Sequence, residues 1–183
     1  MKISIINFSG RPNGNCHRIA KVIENTLPLD NEITLKEICH LSIMPCGNCN
    51  YSCFDEDSTC PYAGDDIFDI YHSICVSDLT FFIVPNYCDY PSSGFFIFNE
   101  RSQSFFPKDS DDLFQQYLRV KKKFIVVSNT EKDNFRRVFQ NHAEDNTNPN
   151  ILFLSAKQFG KVSIQGDLMD SVQARYAVKE FIQ

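Results

Sequence analysis

No run in these 183 residues approaches the roughly 20 consecutive apolar side chains of a membrane-spanning helix, so a helical membrane protein is excluded. There is no dense basic stripe: 18 Lys and Arg face 23 Asp and Glu, a formal charge of −5, and nucleic acid is not an expected partner. The opening MKISIINFSGRP carries one Lys and no small-residue cleavage site, so it reads as a first strand rather than a secretory leader. Internal repeats, low-complexity tracts and linker-like stretches are missing. Eight cysteines fall below the ~8–10% of a disulfide scaffold and fit reduced thiols in a cytoplasmic setting. The GxxxxGK[ST] phosphate loop, the GxGxxG fingerprint and any Ser–His–Asp spacing are also absent. What is present is an ordinary globular composition, 43% hydrophobic and 22% charged, at a length expected for one domain over residues 1–183.

Apolar runs of strand length alternate with helical periods. Lys2–Phe8 reads as a buried strand, and from Asn15 the residues Ile19, Val22, Ile23 and Leu27 share one helical face before Pro28. Glu32–Ile38 alternates as a half-exposed strand. Residues 42–64 hold four cysteines and no period, a cysteine-rich insertion of a length that is usually functional. Asp65 or Asp66 caps a helix carrying Ile67, Ile70, Tyr71 and Ile74. Leu79–Val84 is the most apolar run and reads as a central strand ending at Pro85. Residues 93–118 are expected to be helical with a break near Pro107, and Phe124–Val127 is the fourth strand. A helix placing Phe135, Val138, Phe139 and His142 on one face follows, then a fifth strand, Ile151–Leu154, and a closing helix over about 169–182. Lys121-Lys122-Lys123 reads as an exposed strand entrance. Such alternation implies an α/β fold with a five-stranded parallel sheet covered on both faces. The order 2-1-3-4-5 puts a ligand crevice at the carboxyl ends of the first and third strands.

Two loops meet there. Ser9-Gly10-Arg11-Pro12-Asn13-Gly14-Asn15-Cys16 joins the first strand to a helix start, where amides, a hydroxyl and a guanidinium suit a phosphate monoester. A plain strand–turn–helix link with an Asn cap accounts for the same residues. Pro85-Asn86-Tyr87-Cys88 offers flat apolar surfaces and free amides to a ring, or simply a Pro-rich turn, and Ser128-Asn129-Thr130 forms a third lip. Cys88 reads as an inert buried thiol, and His17 as a solvated neighbour of the first loop.

NFSGRPNGNC resembles the GSPRxNGNT/S phosphate loop of the flavodoxin-like NAD(P)H-dependent FMN reductases, and PNYCDYPS is similar to their P-V-Y-W/F-x-x-P-S loop. That resemblance implies a flavodoxin-like three-layer sandwich, FMN phosphate held by Ser9, Arg11, Asn13, Gly14, Asn15 and Cys16, and a flavin ring against Pro85, Asn86, Tyr87, Cys88, Ser128 and Asn129. It further implies NAD(P)H as donor, a small-molecule or redox-protein acceptor, no catalytic side chain beyond the flavin, and a homodimer. Cys16 departs from the hydroxyl residue of the family, which implies a weaker hold on the phosphate. Phe98-Asn99-Glu100-Arg101 resembles the family's structural F-I-D-R segment.

Cys46-x2-Cys49-x3-Cys53-x6-Cys60-Pro61 gathers four thiols within fifteen residues, a density that points to metal or redox chemistry. The asymmetric gaps and the final Pro lean towards iron–sulfur over zinc, and thiols without metal remain a third reading. The quartet is similar to the [4Fe–4S] ligands of iron–sulfur flavoproteins, with one extra residue in its second gap. An electron carrier with FMN and a cluster, or a non-enzymatic zinc or thiol module on the same frame, are the alternatives to a reductase.

Overall fold

The computed structural model describes residues 1–47, 49, 51–54, 60–106, 111–129, 135–142 and 149–183. Strands β1 (Lys2–Asn7), β2 (Glu32–Glu37), β3 (Leu79–Tyr87), β5 (Lys121–Ser128) and β6 (Asn150–Ser155) pair in parallel in the order β2-β1-β3-β5-β6. This is the order expected for five strands. A short β4 (Tyr90–Pro91) is added as an antiparallel partner of β3.

The sheet is buried on both faces because its central strands carry consecutive apolar residues, Ile5-Ile6, Phe81–Val84 and Phe124–Val127, rather than alternate ones. Ile5, Phe81, Ile83, Ile125 and Val127 face α1 (Asn15–Thr26) and α6 (Val172–Ile182). Ile6, Phe8, Phe82, Val84, Phe124 and Val126 face the opposite layer of α2 (Ile67–Cys75), α3 (Ser93–Phe105), α4 (Asp111–Arg119) and α5 (Arg136–Gln140). That second layer is dominated by aromatic rings. Phe8 meets Phe82, Phe95 and Phe98 edge-on at 5.1–5.4 Å, and Phe124 stacks on Phe139 at 4.2 Å. Gly94 admits α3 close to the sheet, since a Cβ there would lie 2.9 Å from Ile38 Cγ2.

Four expectations change. β3 runs on to Tyr87, because the chain doubles back through Cys88 and Asp89 to pair Tyr87 with Tyr90. Cys88 stands in that tight turn and is exposed, not buried. The last helix starts at Val172, after a 3₁₀ turn at Leu168–Asp170, where the Ser171 hydroxyl accepts the Ala174 N–H at 3.2 Å. The expected break near Pro107 falls outside the described residues, with α3 and α4 on either side.

The fourth change concerns Lys122, which is buried rather than exposed. Strand alternation turns it to the same face as Phe124 and Val126. Its ammonium donates to the carbonyls of Tyr117 and Val120 and lies 4.2 Å from the Tyr117 ring centroid. Burial lowers its pKa to about 7.

His142 is buried among Phe82, Phe95, Phe98 and Tyr117, and burial, reinforced by the Lys122 charge, lowers its pKa to about 3. An unfolded histidine takes a proton below about pH 6.5, whereas this folded one stays neutral to about 3. The unfolded state therefore binds more protons across that window, and stability falls as the pH drops through it. Urea unfolding at pH 6.5 and pH 5 should show a loss to which His142 contributes up to about 2 kcal/mol, a component missing in His142→Gln. An identical pH slope in the variant would refute this.

Candidate functional site

All five parallel strands end at one edge, and the loops leaving β1, β3 and β5 lie side by side there. The first loop is knit to the sheet by Asn7, which accepts the Ser9 N–H at 3.0 Å and donates to Glu37 Oε1 at 2.8 Å. The buried Ser9 hydroxyl in turn accepts the Arg11 N–H at 3.1 Å. Asn13 takes φ +57°, a value asparagine tolerates, and brings the chain to the cap at Gly14. The first intrahelical bond runs from Arg18 N–H to Gly14 O at 3.0 Å, which leaves the amides of Asn15, Cys16 and His17 at the positive end of α1. Arg11 folds back over this end: a Cβ on Gly14 would lie 3.9 Å from Arg11 Nε. Three amides, a hydroxyl and a guanidinium thus meet at one helix start, an arrangement suited to a phosphate.

Two residues of this loop serve differently from expectation. The Asn15 side chain donates to Ser163 O at 2.9 Å and accepts Leu168 N–H at 2.9 Å, so only its backbone amide faces a ligand. Cys16 is buried, and burial pushes its thiol up to about 12. It is a neutral S–H packed near Ser9, not a thiolate. His17 is not merely solvated. Its Nδ1 lies 2.9 Å from Glu37 Oε1, with His40 at 3.6 Å from the other oxygen. Burial works to raise the Glu37 pKa, but hydrogen bonds from His17 and Asn7 and the two imidazoles outweigh it, so the carboxyl sits below its ordinary value.

A turn between β6 and α6 closes on the same loop. Gly166, at φ +75°, sits against Gly14, and Arg18 donates to Gly166 O at 2.9 Å and pairs with Asp170. Ser163 N–H reaches Asn129 Oδ1 at 3.2 Å. The segment 163–170 thereby braces both α1 and the end of β5.

The opposite wall is β3. The Ser92 hydroxyl donates to Phe8 O at 2.7 Å and ties the two strand exits together. Pro85 is buried in the strand, and Asn86 donates through Nδ2 to Ser128 Oγ at 3.1 Å. Cys88 and Asp89 take φ of +53° and +67°, a two-residue turn usually built from Asn and Gly. Tyr87 and Tyr90 flank it in register, which projects both rings to one side of the hairpin. They are 49% and 66% exposed, so a flat ligand has two rings to rest on. Thr130 lies outside the described residues.

The cysteine segment is anchored separately. Arg101, fully buried on α3, reaches Asp65 Oδ2 at 2.6 Å, Met44 O at 2.9 Å and Tyr62 O at 3.0 Å, and so staples both ends of the insertion. Asp65 also accepts the Met44 and Ile67 amides, and Asp66 accepts the Ser42 amide at 2.6 Å. Cys46, Cys49, Cys53 and Cys60 all line one cavity of about 340 Å³. Burial, followed by the neighbouring Cys49 and Cys53, pushes the Cys46 thiol up. Among the described residues, however, no three His, Cys, Asp or Glu side chains are placed to hold a metal ion. The thiols share a cavity without forming a ligand set.

No family model and no curated protein matches the chain in sequence. Solved structures do match it over nearly the whole of this chain. The Trp repressor binding protein of Bacillus subtilis superposes with a TM-score of 0.61 at 18% identity, covering 99% of this chain and 97% of that one. A NAD(P)H:quinone oxidoreductase from Methanothermobacter marburgensis gives 0.59 at 13%, with 98% of each chain covered. An FMN-dependent NADH-azoreductase from Bacillus anthracis, solved in complex with FMN, gives 0.65 at 9%, covering 100% and 98%. The fold is flavodoxin-like. No helix among the described residues is long and apolar enough to cross a membrane.

Proposed function

We propose that this chain binds FMN at the carboxyl edge of its sheet and acts as an NAD(P)H-dependent oxidoreductase towards a small-molecule or protein acceptor. The observation that carries this reading is the cationic helix start: Arg11 folded over Gly14 above three amides that have no partner among the described residues, at the sheet edge where the β3 hairpin carries two exposed tyrosines. The proteins it resembles in fold include an azoreductase holding FMN and a quinone oxidoreductase, which supports the same chemistry.

Arg11 and the amides of Asn15, Cys16 and His17 would neutralise the phosphate, with Ser9 at the loop base. Tyr87 and Tyr90 would hold the ring from the β3 side, and Pro85, Asn86, Ser128 and Asn129 would border it. Bound FMN would supply the electron exchange, taking electrons from NAD(P)H and delivering them to the acceptor. The chain's own part is to bind, orient and shield, and no side chain is required as acid or base.

A [4Fe–4S] centre on Cys46, Cys49, Cys53 and Cys60 does not fit the described arrangement, and no step is routed through it. With the cluster set aside, the second reading is an electron carrier that works through FMN alone. The two readings separate by anaerobic stopped-flow mixing of FMN-loaded protein with NAD(P)H. Rapid bleaching of the oxidised flavin band is expected of a reductase. Slow bleaching with ready reduction by a reduced ferredoxin would overturn that in favour of the carrier.

A further inference from the structure

Glu37 ends β2, the edge strand, whose own loop is not one of the three that meet at the crevice. Its carboxylate nevertheless reaches the first of them. The parallel register sets Glu37 beside Asn7, the last residue of β1, and register partners project to the same face. Asn7 Nδ2 donates to Glu37 Oε1 at 2.8 Å. From the other side, His17 Nδ1 lies 2.9 Å from Oε1 and 3.1 Å from Oε2. An ionised carboxylate only accepts, so this ring nitrogen carries the hydrogen and donates.

Asn7 and His17 stand at the two ends of the phosphate loop. Asn7 Oδ1 holds the Ser9 N–H at 3.0 Å, and His17 supplies the third amide at the start of α1. One carboxylate therefore fastens both ends. Its side chain is only 9% exposed, and a carboxylate so far buried is tolerated only with its hydrogen bonds made, which fixes both donors in place. Its charge also reaches the loop: burial dominates the raised Cys16 thiol, and Glu37 adds to it while Arg11 opposes. Alignment of the loop and repulsion of a phosphate thus pull in opposite directions. Both hydrogen bonds converge on Oε1, an oxygen that glutamine also carries, so substitution can separate the two effects.

We propose that Glu37 is a positioning residue of the phosphate site. By accepting from Asn7 and His17 together, it holds the loop between them in the shape that receives a phosphate, and so strengthens the preference for FMN over riboflavin. The inference rests on the flavin reading above and adds to it a residue outside the loops that border the ligand. Alignment outweighs repulsion, because a loop ordered before the ligand arrives avoids the cost of ordering it on binding.

Titration of the full chain with FMN and with riboflavin, followed by quenching of flavin fluorescence, tests the assignment. Glu37→Leu removes both hydrogen bonds, and FMN affinity should fall about tenfold while riboflavin affinity stays unchanged. Glu37→Gln keeps the acceptor and removes the charge, and should bind FMN within about threefold of wild type or more tightly. His17→Ala frees one end only and should weaken FMN about threefold; it carries the test if the leucine variant does not fold. Unchanged FMN affinity in the leucine and alanine variants, equal weakening of the two flavins, or a glutamine variant as weak as the leucine one would overturn the proposal. Native-state exchange of the Ser9 amide reads the same clamp without any flavin. It should quicken in Glu37→Leu or, failing that, in His17→Ala, and unchanged exchange would overturn the proposal. Quickened exchange in a chain that binds no FMN would fault the flavin reading and leave the clamp standing.

Discussion

Arg101→Met should lower the unfolding free energy by about 3–5 kcal/mol, the cost of leaving a buried carboxylate without its cation. The methionine approximates the length of the arginine stem but returns nothing to Asp65, Met44 O or Tyr62 O, all of which the guanidinium now satisfies. Asp65 is only 8% exposed at its side chain, so solvent cannot replace the lost partner. For a chain of this length, such a loss corresponds to a fall in Tm of roughly 10 °C. The damage should be largest in the cysteine segment, because this side chain ties its two ends together through Met44 O and Tyr62 O. Urea unfolding gives the free energy, and thiol labelling of Cys46–Cys60 in the native state gives the local effect. A loss below about 1 kcal/mol with unchanged labelling would show that the staple is not what holds the insertion.

Arg11→Ala is the second large effect expected. It removes the guanidinium folded over the start of α1, and FMN affinity should drop by about 10- to 100-fold, the range of a charge-assisted contact. Riboflavin carries the same ring without the phosphate, so its affinity should be unaffected. Stability should also hold, since Arg11 is exposed and makes no ion pair or side-chain hydrogen bond with the described residues. Equal weakening of FMN and riboflavin would place Arg11 against the ring and contradict the phosphate assignment.

The sheet was legible in the sequence because burial on both faces leaves consecutive apolar residues, as in Phe81–Val84. The helix faces were legible because one-sided packing imposes a 3.6-residue period, as in Ile67, Ile70, Tyr71 and Ile74. Lys122 carries a signal of its burial in the sequence. It has the same parity as Phe124 and Val126, so strand alternation alone sends it inward. The Ser171 cap that starts α6 was likewise written in the sequence.

Other features were not legible. The hairpin at Cys88 and Asp89 places a cysteine at positive φ and has neither Gly nor Asn, so only Asp89 hints at the turn. Asn15 meets Ser163 and Leu168, and His17 meets Glu37, through the folded topology, and no local pattern encodes contacts 20 to 153 residues apart. At the crevice, the residue types that could hold a phosphate were readable in order. Which atoms face the ligand was not, because that depended on the segment 163–168 taking up the Asn15 side chain.

The central claim is that the helix start at Gly14 holds the phosphate of FMN. Titration of the wild-type chain with FMN and riboflavin, followed by quenching of flavin fluorescence, tests it most directly. One FMN per chain at micromolar or tighter affinity, with riboflavin bound at least tenfold more weakly, is the result this account requires. Equal binding of the two flavins, or no binding of FMN, would contradict it.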